Sequence, residues 1–432
     1  MQAGVAASAL VVMAPKGLGQ TPAAARDAAA LPAAFTGLKP LGERVRAIGV
    51  EEYRGRLARA QRLMGEPAAG DGLTGRRGQK LDAIFVGPGS SLYYYAGIRW
   101  GLSERMLGMV LPRNGEPFVV CPEFEEGRLR EQLKFPMDIR AWPEDKSPAR
   151  LIAATLSEKG LGGGRMGVEE TMPFTFFDHL REAAAHYEYY SADGVTAGCR
   201  ARKSEQELEL MRLSCEATFD VFRAVFASLR EGMTQEEIGG LVASGYARMG
   251  LRGDALVLIG TSAALPHGTV KPGKLREGDA VLIDGGTTVE HYQSDVTRTG
   301  VLGKPAEKVQ RAFTAVREAQ EAALRAAQAG RLSGAVDGAA RAVILTAGYM
   351  PGYKYFTHRL GHGIGLDGHE HPYLVKGSKT VLEAGMTFSN EPGIYVPGEY
   401  GVRCEDDMVV MEEGPAKLLT AGFAVSLEKP IG

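Results

Sequence analysis

Between residues 200 and 232 the chain places apolar side chains at three- and four-residue intervals: Leu208, Met211, Cys215, Phe219, Phe222, Phe226 and Leu229. That spacing returns to one face of a 3.6-residue helix. Ser204, three residues before Glu207, supplies a capping box, so a long amphipathic helix is predicted here. A second box, Thr234 with Glu237, opens another helix that stops at Gly250, and helical periodicity recurs near 305–329 and 334–347. Between and after these come short runs, ALVLIG, DAVLIDGG, HYQSDVTRTG, MTFSNEPGIY and EDDMVVM, whose length and composition suit strands. Hairpin-like pairing of such runs predicts an α+β fold with a mainly antiparallel sheet.

Upstream the texture differs. GVEEYRGRLARAQRLM has helical spacing, a Gly-rich break occupies 65–78, and KLDAIFVG reads as a strand. GMVLPRNGEPFVVCP, at 108–122, is two apolar runs joined by Asn114-Gly115, which is a hairpin signal. These shifts divide the chain into an Ala-rich tail at 1–40, a first domain at 41–197 and a second at 198–432. In the tail, GVAASALVVMA has the length and apolarity of a signal-peptide core but lacks a preceding positive charge, and it is too short to span a bilayer. Periplasmic or secreted and cytoplasmic locations both stay open.

Composition narrows the partners. With 44% hydrophobic residues in 432, the chain has enough apolar material for two cores. Fifty basic and 52 acidic residues leave a net charge of −2, which argues against nucleic acid and favours small peptides. The cysteines, Cys121, Cys199, Cys215 and Cys404, form no CxxC pair, which argues against a zinc-thiolate site or a disulfide framework.

The histidines change the picture most. Four of the eight, His358, His362, His369 and His371, fall in HRLGHGIGLDGHEHP at 358–372. Glycines 361, 363 and 365 around His362 allow close backbone approach to a ligand. Asp284 and Asp295 sit on two strand-like runs joined by about six turn residues, and two carboxylates on one side of such a hairpin need a cation or a shared proton. Taken alone, they equally suit a turn aspartate and a solvated one. Glu391 and Glu405 end two further runs, and Arg403, two residues before Glu405, shares its face and is expected to hold these carboxylates as a two-pronged donor. Four carboxylates and one imidazole make an oxygen-rich set suited to a pair of divalent ions.

Together the motifs DGG…YQSDVTRT, HRLGHGIGLDGHE, SNEPGIY and GVRCEDD resemble those of the pita-bread metallopeptidases, the group of methionine aminopeptidase, aminopeptidase P, prolidase and creatinase, over residues 200–432. The resemblance implies a pita-bread catalytic domain preceded by a creatinase/prolidase-like α/β domain. It implies two divalent ions, manganese foremost and cobalt, iron or zinc as alternatives. Asp284 would bind one ion, His362 and Glu391 the other, and Asp295 and Glu405 would bridge them. His267 or His369 would polarise the scissile carbonyl, Glu391 would move a proton, and His358 would contact substrate. A homodimer is implied too, with Trp100 walling a proline pocket. His291 and His371 match no functional position and are expected to be exposed turn residues.

A domain ahead of the catalytic one favours proline-specific peptidases over methionine aminopeptidase. The complete ligand set speaks against creatinase-like C–N hydrolysis and against a non-catalytic binding module. The expected activity is Xaa-Pro dipeptide hydrolysis, with Xaa-Pro aminopeptidase action on longer peptides as the alternative. A dipeptidase must neutralise the free carboxylate of its proline, and relatives often use an arginine shortly before the EPG glutamate. YLVKGSKTVLEAGMTFSNEPG has none, so Lys376, ahead of Lys379, is expected to face the cleft.

Overall fold

The computed structural model describes residues 31–66, 79–271, 273–349, 352–424 and 426–431. Residues 1–30 of the Ala-rich tail and 67–78 of the Gly-rich break lie outside the described residues.

The first half contains α1 (Val50–Met64), β1 (Ala83–Val86), α2 (Ser90–Ala96), β2 (Gly108–Pro112), β3 (Phe118–Pro122), α3 (Glu126–Gln132), β4 (Asp138–Trp142), α4 (Pro148–Glu158), β5 (Gly164–Val168), α5 (Phe174–Ala183), β6 (Tyr187–Ser191) and α6 (Asp193–Arg200). Its strands form one mixed sheet in the order β4-β3-β2-β1-β5-β6. The central β1, Ala-Ile-Phe-Val, is buried at every position, which is why it reads as a continuous apolar run and not as an alternation. β2 and β3 form the expected hairpin around Gly115, whose φ of 104° suits only glycine.

The second half begins with α7 (Glu205–Phe226) and α8 (Gln235–Arg248), and both expected capping boxes are formed. There follow β7 (Gly253–Ile259), β8 (Ala280–Val289), β9 (Tyr292–Gln293), β10 (Val296–Val301), α9 (Glu307–Ala326), α10 (Ser333–Thr346), β11 (Gly361–Gly363), β12 (Glu370–Leu374), β13 (Thr387–Asn390), β14 (Gly393–Val396), β15 (Tyr400–Arg403), β16 (Asp406–Val409) and β17 (Lys417–Leu418). Three strand groups result: β10-β8-β7 with β9 on β8, β12-β11-β13-β16-β17, and the ribbon β14-β15. Every pairing recorded within them is antiparallel. No helix among the described residues is long and apolar enough to cross a membrane.

Two local expectations are corrected. The link between the Asp284 and Asp295 runs is not a six-residue turn, because β8 continues to Val289 and turns through Glu290 and His291 alone, at φ 46° and 69°. Gly286 makes this possible: a Cβ there would lie 2.0 Å from the Ser294 carbonyl oxygen. His371 is not an exposed turn residue but a half-buried member of β12, its Nε2 3.7 Å from Glu170. His291 is at a turn as expected, yet half-buried, with its ring 4.6 Å from that of Tyr93.

A fully buried ion pair ties two of the strand groups together. Arg298 on β10 donates to Asp406 on β16 at 2.6 Å, with both side chains wholly excluded from solvent. Gln320 of α9 and Thr420 also donate to Asp406. Removing one partner of such a pair strands the other charge, so Arg298→Met should cost about 3–5 kcal/mol of unfolding free energy, read from denaturant midpoints at neutral pH.

Candidate metal centre

Each of the five expected ligands is set by backbone before its side chain is considered. Asp284 lies within β8 opposite Thr297 of β10. Asp295 directly precedes β10, and its N–H donates to Asp407 Oδ2 at 3.0 Å. His362 is the middle residue of β11, with its N–H on Ser389 Oγ. Glu391 follows β13, its N–H bonded to the Leu360 carbonyl, and Glu405 joins β15 to β16 with its N–H on the Thr297 carbonyl. The structure brings all five together. Ligand atoms of Asp284, Asp295 and Glu405 lie within 4.8 Å of one another, and so do those of His362, Glu391 and Glu405.

Hydrogen bonding settles the tautomer of His362. Its Nδ1 lies 3.1 Å from the Gly363 carbonyl oxygen, which can only accept, so Nδ1 carries the proton. Burial first, and the nearby His369 second, push the imidazole pKa down to about 3, so the ring is neutral. The Nε2 lone pair then faces Glu391 Oε1 at 3.4 Å and Asp295 Oδ2 at 3.8 Å. Acceptors facing one another at these separations need a cation or a proton between them.

The carboxyls report the same deficit of positive charge. Burial raises Asp295 well above the usual range, with Asp284 and Asp407 adding to it. Glu405 is raised likewise by burial, then by Asp295 and Glu391. Glu391 is pushed up to about 8, chiefly by burial, against the lowering effect of Arg403. This donor chemistry fits divalent cations: hard oxygen ligands with one borderline nitrogen, held in a pocket too poor in fixed cations to keep them ionised.

Arg403 lies where the sequence puts it but acts differently. Only one of its N–H groups reaches a carboxylate, Asp284 Oδ2 at 2.5 Å; the others go to the Tyr395 hydroxyl, the Pro266 carbonyl and Thr297 Oγ1. Its link to Glu405 runs through Thr297, whose hydroxyl lies 2.9 Å from Asp284 and 2.6 Å from Glu405. The two-pronged carboxylate grip is therefore replaced by a fan of single bonds.

His369 is exposed and stacks on His362, with centroids 3.7 Å apart. His267 is exposed on a loop that Arg403 anchors at the adjacent Pro266. His358 is more constrained than a substrate-contacting imidazole should be. Its Nδ1 donates to the Arg359 carbonyl at 2.8 Å, so its Nε2 must accept from the Tyr395 hydroxyl at 2.8 Å. Both nitrogens are thereby occupied, and burial followed by Arg403 lowers its pKa to about 4. Trp100 carries the Arg128 guanidinium 4.5 Å over its ring and packs on a core cluster drawn from both halves, and no contact among the described residues joins it to the centre.

Lys376 lies exposed in the turn after β12, also without a described contact to the centre. The cation that does act there, besides Arg403, is Arg359. Its charge reaches Glu391, His362 and His369, and its guanidinium sits 4.4 Å over the Tyr373 ring. Sequence reasoning looked for a cleft cation in 373–393 and passed over Arg359, beside His358 in the same histidine-rich stretch. Thr297 and Tyr395 were missed too, although each stands inside a quoted motif.

Antiparallel sheets under helices, an acidic centre with one neutral imidazole, and a preceding mixed α/β unit define a metal-dependent peptidase of pita-bread architecture. The chain belongs to metallopeptidase family M24: that family's model matches residues 209–412, and the creatinase/prolidase N-terminal domain matches 76–202. The chain is 36% identical over 341 residues to the probable dipeptidase PepE of Mycobacterium tuberculosis, across 77% of this chain and 88% of that protein. To the Xaa-Pro dipeptidase of Pyrococcus horikoshii it is 31% identical over 341 residues, across 78% and 92%. The crystal structure of dipeptidase PepE from Mycobacterium ulcerans superposes with a TM-score of 0.78 at 33% identity, covering 87% of this chain and 98% of that one.

The raised carboxyls have a signed consequence for the metal-free protein. Glu391, moved from 4.5 to about 8, contributes stability that is complete at low pH and lost as pH rises through about 8. The depressed His358 and His362 act oppositely, but only between their low native values and the ordinary 6.5. From about pH 6.5 to about pH 8 the carboxyl effect therefore stands alone. The melting temperature of chelator-treated protein should fall across that window, and added Mn²⁺ should raise it more at the upper end than at the lower. A flat profile in both states would remove the electrostatic account of the centre.

Proposed function

We propose that the protein is an Xaa-Pro dipeptidase working with two divalent ions, manganese first among the candidates. The observation that carries this reading is the pair of three-residue donor sets sharing Glu405. Relatives named as dipeptidases and Xaa-Pro dipeptidases, matched over most of their length, support it. Ions held by Asp284, Asp295, His362, Glu391 and Glu405 would supply a nucleophile at neutral pH and a Lewis acid for the scissile carbonyl.

The chain's own residues supply the rest. An Xaa-Pro bond is a tertiary amide whose nitrogen has no hydrogen and must be protonated to leave. Glu391, beside the bound ions, would take the proton released by the nucleophile and hand it to that nitrogen. His369, exposed beside His362, can donate to the carbonyl oxygen, and His267 is the alternative donor on its anchored loop. His358, with both nitrogens engaged, orients the Arg359 backbone. The Arg359 guanidinium, exposed and without an ion pair among the described residues, is the group suited to the free carboxylate of a C-terminal proline. The proposal includes a homodimer, the arrangement in which Trp100 could wall a proline pocket.

Chelation should abolish Xaa-Pro hydrolysis and Mn²⁺ or Co²⁺ should restore it; full activity in a preparation free of metal by elemental analysis would overturn the reading. Glu391→Gln should lower kcat at least about 100-fold. Arg359→Met should raise KM for Xaa-Pro dipeptides about 10-fold or more, as loss of a charge-assisted pair does, and leave Xaa-Pro-Yaa tripeptides little changed. Lys376→Ala should be nearly silent. If tripeptides are the better substrates of the unmodified enzyme, the assignment passes to Xaa-Pro aminopeptidase. Sedimentation at assay concentration checks the dimer, and a fully active monomer would remove it.

A further inference from the structure

His369 is the least anchored of the imidazoles at the centre. Its ring stacks on His362, yet it makes no side-chain hydrogen bond among the described residues. What holds it is the turn on which it stands, and that turn is gripped on either side by Arg200, from the segment matched to the creatinase/prolidase N-terminal domain, and by Lys203 just after it.

The grip centres on Arg200, the last residue of α6. Its Nη2 donates to Asp367 Oδ2 at 2.5 Å and also to Glu370 Oε2, while its Nη1 donates to Ser91. The second oxygen of each carboxylate is taken as well: Asp367 Oδ1 accepts from Ser90 at 2.5 Å, and Glu370 Oε1 from Lys203 Nζ at 2.5 Å. Two cations thus meet two anions, and the carboxylates are the residues at −2 and +1 from His369. Lys203 and Glu370 are nearly or wholly excluded from water, with side-chain exposures of 1% and 7%. Gly365 makes room for them, since a Cβ at that position would lie 2.6 Å from Glu370 Oε1 and 2.7 Å from Lys203 Cε.

We infer that Arg200 is a positioning residue for the reaction: by clamping Asp367 and Glu370 together it sets where the His369 imidazole stands over His362. One guanidinium nitrogen serves both carboxylates while the other end of the fork is fixed to Ser91. A lysine ammonium retains the charge but not that planar fork, so it cannot hold the same geometry. Buried ion pairs add little net stability over well-packed apolar groups, so a network of this kind is better explained by the geometry it imposes. The inference rests on the hydrolytic reading of the centre, with His369 as the donor to the carbonyl.

Two measurements on the full-length, metal-loaded protein test it. In a double-mutant cycle, Arg200→Lys should lower kcat for Xaa-Pro about 10-fold with KM changed less than about twofold; in a His369→Ala background the same substitution should cost nothing further. Asp367→Asn, at a half-exposed position, should reproduce the effect in milder form. Additive losses in the cycle would show that Arg200 does not act through His369 and would overturn the inference. Independently of activity, hydrogen exchange followed by mass spectrometry should show faster exchange confined to a peptide spanning 364–372 in Arg200→Lys. Unchanged exchange there, or exchange raised throughout the chain, would also overturn it. If the unmodified enzyme hydrolyses no Xaa-Pro peptide, the functional reading falls, while the exchange measurement still decides whether the clamp orders this turn.

Discussion

Burying four carboxylates around one neutral imidazole is the constraint on which the rest of this structure depends. Anions at such separations in a medium of low polarity repel strongly unless a cation or a proton lies between them. The raised carboxyls and the depressed His362 are two expressions of the same shortage of positive charge. A protein could relieve it by placing lysines or arginines among the ligands. Among the described residues, this one sets Arg403 on one face and Arg359 farther off, and leaves the interior of the cluster to a divalent cation.

The surroundings read as measures taken to hold that cluster in place. Thr297, wholly buried, stands between Asp284 and Glu405. Arg403 draws together Asp284, Tyr395 and the backbone before His267. Tyr395 in turn fixes His358, whose other nitrogen holds the backbone of Arg359. Behind these, the wholly buried pair Arg298–Asp406 joins the strand that follows Asp295 to the strand that follows Glu405. Each layer takes its partners from a different strand, so the positions of the ligands are set by the closure of several hairpins at once.

The first half takes part in this closure too. Arg56 donates to Tyr94 and Tyr292 and pairs with Glu207, all in the interior between the halves. Tyr93 meets the hairpin turn at Glu290 and His291. Ser90, Arg200 and Lys203 hold the turn bearing His369. Several of these contacts fall on two turns of the second half, the β8–β9 turn and the 365–370 turn that carries His369.

Much of this was legible in the chain itself. The helical stripe from Leu208 to Phe226 and the two capping boxes depend on residues a few positions apart, and local geometry is enough to realise them. The five residues offered as ligands were visible too, because the motifs that carry them resemble a known family's, and their ligand atoms do come together. What lay beyond reach were pairings across long separations. Arg200 meets Asp367 over 167 residues, and Thr297 meets Glu405 over 108. Periodicity says which face of a strand a residue occupies but not which distant side chain will face it. For that reason Arg403 seemed a two-pronged clamp, and His371 seemed an exposed turn residue. The sequence by itself determined the elements and the chemistry available to them; only tertiary packing decided which charges met and which tautomers His358 and His362 took.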